Sequence, residues 1–335
     1  MTLFKFIGES VPTFRTTDLL TVDHPHRPYP PEHPIRYSLL IRAAAFVVLM
    51  LVGYLVFISV YAAVTGTFNF SVTAAILAEL LIAIFAYLVL TMVTESRVWP
   101  HEIKPQRILG LFKGMLLGLI MVSVCIGILA LMGSYTITGF NAEYSPWLDI
   151  FFMGVVAGVA EELMMRGALF RLTEEGLGSW GAVVVSALVF GFLHLGNFSG
   201  TVWGAVAISI EAGLTFAAIY IITRSLWWCI GVHFAWNVFL GPVFGSIVSG
   251  TERQHSWFES HFSGPEILTG GAFGMEASIV SVIILGGLGI TLLVFAQVKG
   301  LMVLPIWMRK ARLTDQRHSV WPTYEPPQNQ SRSGR

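Results

Sequence analysis

Eight apolar stretches punctuate this chain of 335 residues, at about 39–64, 71–94, 108–133, 147–170, 180–196, 201–222, 226–248 and 276–298. Each approaches the roughly 17–25 residues that a helix needs to cross the hydrocarbon core of a bilayer. A spanning segment must satisfy its own backbone, so the pattern predicts an all-α, polytopic bundle of about eight transmembrane helices. The fifth stretch is short and the seventh is interrupted by glycine. No internal repeat is evident, which leaves the inverted-repeat plan of many transporters without support. Around this block, residues 1–37 read as a Pro-rich cytoplasmic arm and 301–335 as a polar cytoplasmic tail. Residues 38–300 then form the transmembrane domain. No apolar run follows a short basic start, so no cleaved signal peptide is expected.

Composition agrees with the pattern. The chain is 55% hydrophobic and only 12% charged, against about 25% charged in soluble domains. Its formal net charge of zero argues against a nucleic-acid partner. The two cysteines, Cys125 and Cys229, both fall in apolar runs, which disfavours a disulfide framework or a Cys-based zinc site. With eight spans and both ends inside, every Lys and Arg except Arg253 falls on an inner segment or helix end. That is the bias expected of cytoplasmic loops. The lean is towards a bacterial inner membrane.

An ionisable side chain near the bilayer centre costs at least about 2.5–3.5 kcal/mol, so such residues are functional candidates. The fourth stretch holds Glu161, Glu162 and Arg166, and the fifth ends in VFGFLHLGN with Phe190 and His194. The sixth contains Glu211, and the seventh reads WWCIGVHFAWN with His233 and Asn237. Residues four apart share a helix face, whereas neighbours diverge. Glu162 and Arg166 can thus form an ion pair, while Glu161 points elsewhere and is free to face a cavity. His233 and Asn237, also four apart, can address one point. Measured from the inferred cytoplasmic ends, Glu161 and Asn237 lie about 15–16 Å deep, His233 about 10 Å and His194 about 20 Å. One cavity could contain all four.

A carboxylate, two imidazoles and a carboxamide suit hydrolysis by water. Glu161 is the candidate general base, and His194 could share or orient the water. His233 and Asn237 could donate N–H groups to an oxyanion. No Ser or Cys stands beside a His in this set, which disfavours a covalent acyl-enzyme.

These residues resemble a known family. EELMMR fits EExxxR, FGFLH fits FxxxH and HFAWN fits HxxxN, in the order found in the CPBP family of intramembrane proteases. That family includes the Ras-converting CAAX endopeptidase and bacterial relatives linked to bacteriocin processing and self-immunity. The resemblance covers about 147–240. It implies an all-helical bundle with a conical cavity open to the cytosol and the lipid, acting on a membrane-associated or lipidated peptide near the cytoplasmic face. Glu161 and His194 would activate water, His233 and Asn237 would form the oxyanion site, and Glu162 with Arg166 would support the structure. No cofactor is required on this reading. Members of the family were once regarded as metalloproteases, so a divalent metal such as zinc is the alternative, with Glu161, His194 and His233 as ligands. Glu211 departs from the family pattern, where an apolar or aromatic residue is usual; it could line the cavity, as could Phe190, or pair with another buried group.

Blander readings stand beside these. The acids could be an ion-pair network, and His233 with Asn237 could be interhelical glue, worth only about 0.6 kcal/mol on average in membranes. Glu79, in the second stretch, has no assigned role. Trp227, Trp228 and Trp307 read as interfacial belt residues. The Gly-rich loop around 250–274, with His255 and His261, reads as a connection. Two other functions compete with a protease: a non-catalytic immunity or scaffold protein, and a proton-coupled transporter.

Overall fold

The computed structural model describes residues 38–308, apart from 70, 96, 98, 253 and 254. The terminal arms and Arg253 therefore lie outside the described residues. Among the latter, seven helices are long and apolar enough to cross a membrane. They are α1 (Leu39–Thr65), α2 (Thr73–Thr94), α3 (Pro105–Leu131), a run over Trp147–Gly196, α6 (Val202–Thr223), α7 (Leu226–Val243) and α8 (Ile279–Val298). The run from 147 to 196 is 50 residues long; as one straight helix it would reach about 75 Å, far beyond a bilayer. It is broken at Gly178, whose φ of 75° and ψ of 175° are not helical. We label its two arms α4 (147–177) and α5 (179–196). They are the fourth and fifth of the eight predicted spans, so the difference between seven helices and eight spans is one glycine. A side chain at 178 would collide with the carbonyl of Val303, its Cβ falling 2.7 Å away. This is an integral membrane protein built as a helical bundle.

Helix starts follow local chemistry. The side chains of Ser71, Thr201 and Ser278 accept hydrogen bonds from the first-turn amides of α2, α6 and α8, which satisfies donors that lipid cannot. The α3–α7 seam depends on small residues. A Cβ on Gly114 would lie 2.3 Å from the Trp228 carbonyl oxygen, and one on Gly231 would lie 2.1 Å from that of Leu111. Gly110, Gly114 and Gly118 repeat every fourth residue, so the two backbones meet directly, as small-residue stripes allow in membranes. Trp227 and Trp228 are accordingly packed rather than purely interfacial: Trp228 covers Gly110, and Trp227 donates to the Lys104 carbonyl.

One end of the bundle is held by buried ion pairs. Arg42 is the buried residue of α1, whose other side chains face outward or lie part-buried. It pairs with Glu95 and Glu175. Glu95 also binds Arg97 and Arg171, and Glu102 binds Arg97. Nearby, Arg224 pairs with Glu174, and Arg107 donates to the carbonyls of Thr223 and Arg224. We call this the basic end. The packed unit runs past residue 300 here, because the Val303 amide and carbonyl bond Ser179.

The opposite end carries something the apolar pattern did not predict. β1 (Tyr135–Phe140) and β2 (Phe258–Phe262) pair antiparallel, with Tyr135 opposite Phe262 and a register shift between Ile137 and Gly139. They tie the α3–α4 connection to the long loop before α8. That loop is therefore a folded element, not merely a connection.

Candidate active site

Glu161 and Glu162 occupy a short α-helical piece, Gly158–Glu162, between two π-helical stretches, Ile150–Ala157 and Leu163–Phe170. Glu211 lies in another π-helical turn, Ser209–Gly213, and a fourth, Phe239–Val243, follows Asn237. Such turns change which side a helical residue faces and cluster at functional sites.

The two glutamates diverge as neighbours should. Glu162 is fully buried, and its Oε1 accepts from Arg166 Nη1 at 3.0 Å and from His233 Nδ1 at 2.9 Å. Glu161 retains 25% exposure of its side chain and faces His233 from the other side, Oε2 to Nε2 at 3.6 Å. That distance is too long for a direct hydrogen bond. A carboxylate can only accept from an imidazole, so the contact with Glu162 puts a proton on Nδ1 of His233 and turns Nε2 towards Glu161. The approach of α4 to α7 makes this possible, with Gly154 and Gly158 against Phe234.

His194 begins a 3₁₀ turn, His194–Gly196, at the end of α5. Its Nδ1 lies 2.7 Å from the Phe190 carbonyl, again fixing the proton there and leaving Nε2 as the acceptor in the neutral ring. Phe190 packs edge-on to both His194 and His233, with centroids 4.8 and 6.2 Å away, while the Arg166 guanidinium sits over Phe190 and Phe216. Asn237 donates one amide N–H to the Met153 carbonyl at 2.9 Å, and the carboxamide keeps a second N–H.

Glu161, His194, His233, Asn237 and Phe190 all line one cavity of about 240 Å³. Glu79, Asn197, Ser249, Thr251 and Glu276 also line it and have no role in the sequence reading. Glu79, from α2, lines it within electrostatic reach of Glu161. Glu276 and Ser249 enter from the long loop: Glu276 accepts from Trp236 Nε1 at 2.8 Å and from the amide and hydroxyl of Ser249. Burial raises the Glu276 carboxyl above the ordinary glutamate range, even though these hydrogen bonds oppose the shift. The sequence signal was the run TGGAFGME, whose glycines allow tight backbone approach; a Cβ on Gly274 would lie 2.1 Å from the Ile247 carbonyl oxygen. Glu211 does not line the main cavity. Its Oε1 has no hydrogen-bond partner among the described residues, and it borders an adjoining space of about 20 Å³ shared with Glu276 and Trp236. Among the described residues no three His, Cys, Asp or Glu side chains converge as a metal set. Glu161, His194 and His233 line the same cavity without converging as such a set.

Residues 143–239 match the family model described as type II CAAX prenyl endopeptidase, Rce1-like. Over that segment the chain is similar to the CAAX protease family. The matched segment is under a third of the chain, yet it spans EELMMR, FGFLH and HFAWN and so contains α4 to most of α7. Glu79 and Glu276 lie outside it, on either side in sequence. No curated protein and no solved structure matches the chain.

Proposed function

We propose that the protein is an intramembrane endopeptidase that hydrolyses a peptide bond with water, without a covalent enzyme intermediate. The observation that supports this most is the gathering of Glu161, His194, His233 and Asn237 around one cavity, with Glu162 and Arg166 behind His233. In this reading Glu161 takes a proton from water as hydroxide adds to the carbonyl carbon, with His194 Nε2 orienting that water. The oxyanion is met by the free N–H of Asn237 and by Nε2–H of protonated His233, both donors held in place before the reaction. Glu161 then returns its proton to the amine nitrogen as the C–N bond breaks. Glu162 and Arg166 hold the His233 ring rather than touch substrate. No step runs through a metal.

The experiment is peptide-library cleavage by purified protein, with products located by mass spectrometry. Wild type should cut at defined bonds and His194→Ala should not. A wild-type protein that is folded and cuts nothing would move the reading to a non-catalytic binding protein.

A further inference from the structure

The cavity has a direction. Its part-exposed lining includes Phe152, Asn197 and Thr251, which we take as its rim, at the end of the bundle that carries the β1–β2 sheet. Towards the basic end it is closed. Below His233 lie Arg166, Phe170, Tyr220 and Leu226, all buried, and beneath them the Arg42–Glu95–Arg171 ion pairs. Among the described residues, none from the basic end lines the cavity.

The two ends differ sharply in charge. Arg42, Arg97, Lys104, Arg107, Arg171, Arg224 and Lys299 sit at the basic end, where they outnumber Glu95, Glu102, Glu174 and Glu175. The sheet-end connections 132–149 and 244–278 hold Glu143, Asp149, Glu252, Glu259, Glu266 and Glu276 against the single cation Arg253. Basic residues flanking spans stay in the cytoplasm, which puts the basic end inside and the rim outside. That is the reverse of the cytosolic opening implied by the family resemblance.

We propose that substrate reaches this cavity from the non-cytoplasmic side, as a membrane-associated peptide segment with cationic character presented at that face. The acidic connections at that face would concentrate such a peptide near the opening. A volume of about 240 Å³ admits only a short stretch of it, apolar at Phe152, Phe190 and Phe216. This inference rests on the protease reading for the word substrate, but the sidedness is independent of it.

The test uses the full chain in right-side-out and inside-out membrane vesicles. Both native cysteines are buried, so two single replacements serve as reporters: Thr251→Cys at the rim and Trp307→Cys at the basic end. A membrane-impermeant maleimide should modify Thr251→Cys in right-side-out vesicles only, and Trp307→Cys in inside-out vesicles only. An added cationic peptide should be cut by wild type in right-side-out vesicles, and faster than its acidic counterpart. Modification of Thr251→Cys from the inside, or cleavage confined to inside-out vesicles, overturns the proposal. Equal cutting of the acidic peptide removes the cationic preference. The expected labelling without cleavage on either side would uphold the sidedness and sink the protease reading instead.

Discussion

Nδ1 of His233 on α7 lies 2.9 Å from Oε1 of Glu162 on α4, and the same oxygen accepts from Arg166. Glu162 therefore joins a buried cation to the ring that faces Glu161. Glu162→Ala should strand the Arg166 charge, at a cost of about 3–5 kcal/mol, seen as lost folded yield and a lower Tm in detergent. Glu162→Gln keeps an acceptor and the shape, so it should fold better than Glu162→Ala while losing activity through a loosened His233. Equal Tm for the Ala variant and wild type would contradict this.

Asn237 is predicted to act on rate rather than on fold. One of its N–H groups is spent on Met153, and the proposed mechanism gives the other to the oxyanion. Asn237→Ala should lower kcat by about 10²–10³ with little change in KM. A rise in KM at unchanged kcat would assign Asn237 to ground-state binding instead.

How much of this was legible in the sequence depended on contrast. Ionisable residues stand out in apolar stretches, so Glu161, His194, His233 and Asn237 could be singled out, and helical spacing was enough to pair Glu162 with Arg166. The bond from Glu162 to His233 was not readable, because it depends on α4 and α7 meeting at Gly154, Gly158 and Phe234. Glu276 was hidden for another reason: it sits at the edge of a Gly-rich loop, where a lone acid looks like a solvated helix start. The sheet was missed because its strands are short and lie in connections. The eight spans were readable, and the Gly178 break reconciles them with seven continuous helices.

The α3–α7 seam positions the helix that carries His233, and its tolerance should be small. Gly231→Ala would place a methyl group 2.1 Å from the Leu111 carbonyl oxygen. Forcing the backbones apart should cost about 1–3 kcal/mol, read as a drop in Tm. The accompanying shift of α7 should reduce cleavage more than that loss of stability alone would. Gly127 on α3, which faces open space, should accept alanine without either effect.

Acid should unfold the basic end first. Burial alone would raise the Glu102 carboxyl, but Arg97 and Arg171 outweigh it and hold the group below the ordinary value of 4.5. A depressed carboxylate contributes stability that is fully present above the unfolded value and lost as pH falls through the folded one. Tm should therefore fall steeply below pH 4.5, and Glu102→Gln should flatten that fall while lowering Tm at neutral pH. An unchanged acid slope in Glu102→Gln would show that the Arg97 and Arg171 contacts do not act this way.

The most direct measurement is the initial rate of peptide cleavage by Glu161→Gln beside wild type, both purified and matched in Tm. Glu161 has no hydrogen-bond partner for Oε2 among the described residues, so the amide should be accepted without loss of fold. The predicted result is cleavage at the uncatalysed background with Tm preserved. Cleavage by Glu161→Gln at the wild-type rate would contradict the assignment of Glu161 as the base that activates water.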